Sequence, residues 1–134
     1  MVSIVIVSHS RKLAEGVLEL ADQMVQGQVQ MAVAGGIDDP ENPIGTDPMK
    51  VYEAIESVYS DDGVLVVMDL GSALLSAEMA LEFLSPGQQA RVRLCAAPLV
   101  EGVMAAAVQA STGAPLSQVL IEAQEALTVK INQL

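Results

Sequence analysis

The sequence predicts an α/β fold: a three-layer sandwich of flavodoxin-like type, with a four-stranded parallel sheet in the order 2-1-3-4 and about five helices. Three observations carry that expectation. Short apolar runs alternate with helix-period stretches along the whole chain, the signature of strands joined by crossover helices. The clearest strands, Val2–Val7 and Val64–Met68, are apolar at nearly every position rather than every second one, as strands covered on both faces are. The 134 residues are 51% apolar but only 2% aromatic, so one aliphatic core suits one domain, residues 1–134.

The elements follow in order. Val2 to Val7 (VSIVIV) is the first strand, ending at Ser8-His9-Ser10. Arg11 to Gln26 carries Leu13, Val17, Leu20, Ala21 and Met24 on one helical stripe, with Ser10 as N-cap and Gly27 beyond the end. Gln28 to Ala34 reads as the second strand, through the alternation of Val29, Met31 and Val33. Gly35 to Pro48 has three prolines, three glycines and four acids, and is a loop. Asp47-Pro48 is an N-cap followed by N1, opening a helix to about Tyr59 with Val51, Ala54, Ile55 and Val58 inward. Asp61-Asp62-Gly63 turns into the third strand, Val64 to Met68. A helix from Gly71-Ser72 to Leu84 stops at Ser85-Pro86-Gly87. Ala90 to Ala96 is the fourth strand, Pro98 opens a helix ending near Gly113, and Pro115 opens the last. That final helix has Leu116, Val119, Leu120, Ala123, Leu127, Ile131 and Leu134 on one stripe. Met24, Met31, Met49, Met68, Met79 and Met104 read as core filler.

Charge and composition exclude several functions. Seventeen acids against six bases give a net charge of −11, which argues against nucleic acid and anionic membrane as partners. One cysteine, Cys95, excludes a disulfide framework and a cysteine zinc site; in an apolar strand it reads as inert. No apolar run is long enough to span a bilayer and no signal-peptide pattern opens the chain, so the cytoplasm is the expected compartment.

Ligands of such sheets sit beyond the carboxyl ends of the strands, so the residues just after strands are the informative ones. His9 is the only histidine, one residue past the first strand and at the start of a helix. An imidazole there can act as nucleophile, base or ligand, and the helix N-terminus with Arg11 and Lys12 would favour a phosphoryl group. The plainer alternative is a loop histidine without a task. Asp69 ends the third strand, where it can accept a hydrogen bond from one imidazole nitrogen and leave the other free; alternatively it caps the turn before Gly71. Gly45-Thr46-Asp47 and Gly71-Ser72-Ala73 both open helices with turns of the kind that cradle anions. No Walker P-loop is present and no GxGxxG follows the first strand. A receiver domain would need paired acids after the first strand, and a zinc hydrolase more ligands than one His and one Asp. No metal site is expected.

The stretches VSIVIVSHS, GGIDDPENPIGTDP, VLVVMDLGSALLSAEMALE and VRLCAAPLVEG together resemble the phosphoryl-donor subunits of dihydroxyacetone kinases driven by the phosphoenolpyruvate phosphotransferase system. Their domain is similar to the mannose-type IIA domain of sugar transporters, and the resemblance covers essentially the whole chain. It implies a homodimer with a four-stranded parallel sheet. His9 would be the phosphorylated histidine and Asp69 its imidazole partner, with Ser10, Gly45, Thr46, Gly71 and Ser72 along the phosphate. The donor would be the phosphocarrier protein. The acceptor would be ADP, held with Mg on the kinase subunit that serves dihydroxyacetone phosphorylation in glycerol metabolism; no cofactor would sit on this chain. Two other readings stand beside this one: a mannose-type transporter IIA domain passing phosphate to a IIB protein, and a non-catalytic regulatory interaction module. The free imidazole nitrogen is expected to be Nε2.

Overall fold

The computed structural model describes residues 1–134, and its sheet is parallel throughout, in the order β2-β1-β3-β4. The strands are β1 (Ser3–Ser8), β2 (Met31–Gly35), β3 (Val64–Met68) and β4 (Val92–Cys95). The helices are α1 (Arg11–Val25), α2 (Pro48–Val58), α3 (Ser72–Phe83), α4 (Pro86–Gln89), α5 (Leu99–Ser111) and α6 (Leu116–Asn132). That makes six helices against about five expected. The extra one, α4, is a single turn where the sequence suggested only a stop; Ser85 and Gln88 cap each other reciprocally and Pro86 supplies the first position. Every other strand and helix lies where the sequence placed it, with ends shifted by a few residues.

Handedness distributes the helices. The chain moves one way across the sheet from β1 to β2, then the opposite way from β2 past β1 to β3 and on to β4. Right-handed crossovers therefore put α1 on one face and α2 and α3 on the other. The two cores agree. Ile4 and Ile6 of β1 pack with α1, α5 and α6, while Val5 and Val7 pack with α2 and α3. β1 and β3, the two central strands, are buried along their whole length.

The helix faces differ from the sequence expectation in an instructive way. On α1 the buried positions are Ala14, Val17, Ala21 and Val25, whereas Leu13, Leu20 and Met24 are about half exposed. On α3 only Ala73, Ser76, Ala77 and Ala80 face inward, and Leu74, Leu75, Met79 and Phe83 face out. Small residues let the helices approach the sheet closely, and the larger apolar side chains are left on the solvent side. Gly102 makes the same point on α5: a Cβ there would lie 2.8 Å from the Ala97 Cβ. The reading of six methionines as core filler fails for Met24, Met49 and Met79, which are about half exposed; Met68 is buried. The stripe of α6 is buried at Val119, Leu120 and Ala123, but Leu127, Ile131 and Leu134 lie outside the core. Ala106 and Ala107 of α5 pack in the core. No helix is long and apolar enough to cross a membrane.

Candidate active site

The strand order reverses at β1, so the loops leaving β1 and β3 diverge and open a crevice between them. His9 follows β1 and Asp69 follows β3, and the sheet register brings them together across 60 residues of sequence. His9 Nδ1 lies 3.0 Å from Asp69 Oδ1, and His9 Nε2 lies 2.8 Å from Ser72 Oγ. The imidazole side chain is 28% exposed, which leaves the ring within reach of another macromolecule.

Asp69 is held from four sides. Its Oδ2 accepts from the Ser8 hydroxyl and the His9 backbone N–H, each at 2.9 Å. Its Oδ1 accepts from the Leu70 N–H at 2.8 Å and faces the ring nitrogen of His9. Burial works to raise the carboxyl pKa, but the backbone N–H groups of His9 and Leu70, the Ser8 hydroxyl and the imidazole outweigh it and hold it below the ordinary value. The group therefore stays a carboxylate at neutral pH. With Asp69 accepting, the His9 proton sits on Nδ1, and Nε2 presents its lone pair to the Ser72 hydroxyl. Of the two readings offered for Asp69, the geometry matches the imidazole partner; its carboxylate accepts from the adjacent Leu70 N–H, but α3 is preceded by Gly71 and has no side-chain cap.

The polar residues predicted around the histidine meet it unequally. Ser72 touches the ring. Thr46, from the loop before α2, reaches the Ser72 carbonyl at 3.3 Å and lies 2.7 Å from the Ser76 hydroxyl. Gly71 has φ 61° and precedes α3, whose first turn carries no side-chain cap; the Ala73 and Leu74 N–H groups donate to the Leu70 and Gly71 carbonyls, which leaves those of Gly71 and Ser72 for an anion. Gly45 differs from the anion-cradle expectation, because its N–H donates to the His9 carbonyl at 2.9 Å, tying the loop to the histidine instead. The Ser10 side chain accepts from the Leu13 N–H as the N-cap of α1, so its oxygen serves the helix. Arg11 pairs with Glu15 and Lys50 with Asp38.

Two residues that touch this machinery were given no role from the sequence, although Ser8 lies in the informative Ser8-His9-Ser10 stretch. Ser8 is fully buried, donates to Asp69 and accepts from the Ser10 N–H, and so locks β1 to the carboxylate. Ser76 is the second. Its position in helix period behind Ser72, one turn further along α3, is the signal that could have found it.

A family described as the PTS system fructose IIA component, of the EIIA-man type, matches residues 3–120. The chain belongs to this family. It is 61% identical over its whole length to the Escherichia coli (strain K12) PEP-dependent dihydroxyacetone kinase, phosphoryl donor subunit DhaM, and spans 29% of that protein. The phosphoryl donor subunit of dihydroxyacetone kinase 2 from Listeria innocua is 39% identical over 81% of this chain and 86% of its own length. A crystal structure of a protein of unknown function, EF1359, superposes with a TM-score of 0.80 at 37% identity, covering 92% of this chain and 93% of that one. The family resemblance and the α/β architecture read from the sequence both stand.

Proposed function

We propose that this chain is the phosphoryl relay domain of a PEP-dependent dihydroxyacetone kinase, and that His9 carries the phosphoryl group on Nε2. The observation that carries the reading is the imidazole held between a carboxylate on Nδ1 and a hydroxyl on Nε2 in an accessible crevice. The donor is the phosphocarrier protein of the phosphotransferase system. The Nε2 lone pair attacks phosphorus, and the N–P bond of the donor breaks with its electron pair returning to the donor nitrogen. The proton stays on Nδ1, so the phosphorylated ring is cationic, and the Asp69 carboxylate stabilises that charge. In the second half-reaction the terminal phosphate oxygen of ADP on the kinase subunit attacks phosphorus, and the N–P electron pair returns to Nε2. The Ser72 hydroxyl and the N–H groups of Gly71 and Ser72 at the start of α3 would donate to the phosphoryl oxygens.

In this reading ADP and Mg belong to the partner kinase subunit, this chain carries no cofactor, and it works in the cytoplasm as a homodimer within glycerol metabolism. Its family membership and the donor-subunit relatives support the assignment. The same chemistry would serve a mannose-type IIA domain with a IIB protein as acceptor, and the relatives favour the kinase. The test is incubation with phosphoenolpyruvate, enzyme I and phosphocarrier. Wild type should acquire an acid-labile phosphate on Nε2, and His9→Ala should acquire none. Labelled protein should discharge to the ADP-loaded kinase subunit rather than to a IIB protein. Labelling of His9→Ala, or no labelling of wild type, overturns the proposal.

A further inference from the structure

Resting on the reading that His9 Nε2 takes the phosphoryl group, we infer that Ser76 is a positioning residue, which acts through Thr46 to hold a second acceptor for the Ser72 hydroxyl. A buried helical serine ordinarily satisfies its hydroxyl on the carbonyl four residues back. For Ser76 that carbonyl is Ser72 O, and Thr46 Oγ1 donates to it at 3.3 Å. Ser76 Oγ instead lies 2.7 Å from Thr46 Oγ1, bridging a rigid helix to the loop thirty residues earlier in the chain. Ser76 is only 5% exposed, so this bond is shielded from water. A hydroxyl has one proton. With the Thr46 proton on the Ser72 carbonyl, Ser76 is the donor to Thr46. One lone pair of Thr46 remains, and it lies 3.4 Å from Ser72 Oγ.

Ser72 therefore has two acceptors within reach: Nε2 at 2.8 Å and Thr46 Oγ1 at 3.4 Å. The first bond occupies the lone pair that must attack phosphorus. When the N–P bond forms, that lone pair is consumed and the Ser72 proton must move. A Thr46 oxygen fixed by Ser76 lets Ser72 turn away without leaving its hydroxyl unpaired while Nε2 attacks, after which the same hydroxyl can donate to a phosphoryl oxygen. Without Ser76 the loop end is held by weaker ties and the turn is less favourable.

The test uses phosphoramidate, a small donor that needs no protein docking. Its P–N bond breaks as ammonia leaves and the new bond forms to Nε2. The rate of phosphohistidine formation, read by phosphorus NMR, is measured for wild type, Ser76→Ala, Thr46→Val and the double variant. Ser76→Ala should slow uptake about three- to tenfold, the size expected for one hydrogen bond. In the Thr46→Val background the same substitution should change nothing further, since its effect passes through the Thr46 hydroxyl. The imidazole nitrogen shifts should show the Nδ1–H tautomer retained. Ser76→Cys, which fills the same space with a poor donor, reads the same quantity if the alanine variant does not fold. An unchanged rate, or an equal further fall in the Thr46→Val background, overturns the inference. Labelling of His9→Ala would instead overturn the relay reading beneath it.

Discussion

Replacing Asp69 by asparagine separates charge from shape at the site. Asparagine keeps the outline of the side chain but exchanges one acceptor oxygen for an N–H donor pair. Four donors converge on this carboxylate: the Ser8 hydroxyl, the backbone N–H groups of His9 and Leu70, and His9 Nδ1–H. Two orientations of the amide are possible, and each fails differently. With its NH2 toward Ser8 and His9 N–H, a backbone donor loses its acceptor, which costs about 1–3 kcal/mol at a site where Asp69 is 17% exposed. With its NH2 toward His9 Nδ1, the imidazole is forced to accept there, the proton moves to Nε2, and the nucleophilic lone pair is gone. A tautomer trapped in this way slows a histidine-dependent enzyme by as much as about 10⁴-fold. We expect phosphoryl uptake to fall by about 10²- to 10⁴-fold and the midpoint of thermal unfolding to drop by roughly 3–5 °C per kcal/mol lost. Kinetics of labelling, thermal melts and nitrogen NMR of the ring would read the three effects separately. The stability difference also has a pH signature. The folded-state pKa of Asp69 is depressed, so its contribution is fully present above the unfolded carboxyl value and is lost as pH falls through the folded value. The gap between wild type and Asp69→Asn should therefore narrow in acid. An asparagine variant that labels at the wild-type rate with Nδ1–H intact would refute the reasoning.

Other outcomes follow from the packing. Gly35→Ala would put a Cβ 2.9 Å from Arg11 Cα and 3.0 Å from the Ser10 carbonyl oxygen, both backbone atoms, so we expect about 1–3 kcal/mol of destabilisation in denaturant melts. Slower labelling should accompany it, because α1 starts two residues after His9. Asp47→Ala removes the side chain that accepts from the Met49 N–H, at about 1 kcal/mol, and should loosen the Thr46 turn as judged by hydrogen exchange. Burial pushes the Cys95 thiol up to about 11, so a thiol reagent at pH 8 should label it only after unfolding; prompt labelling of native protein would contradict the sheet placement.

The elements were legible because their signals are local: buried strands are apolar throughout, Asp47-Pro48 announces a helix start, and a breaker-rich segment cannot be regular. The pairing of His9 with Asp69 was legible for a related reason, since strand alternation confines useful side chains to the carboxyl ends of β1 and β3. Helix faces were less legible. On α1 and α3 alanines and a serine point inward while Leu13, Leu74 and Met79 point out, and period alone assigns the larger apolar residue to the core.

By itself, then, the chain of residues determined the alternation of strands and crossover helices, the candidate nucleophile and the carboxylate beside it, because each depends on periodicity or on position relative to a strand end. Only the tertiary structure decided that Gly45 ties its N–H to His9, that Ser8 anchors Asp69, and that Ser76 reaches Thr46. Those are hydrogen bonds between groups far apart in sequence. Their distances follow from how closely small residues let helix and sheet approach, and no local pattern encodes that spacing.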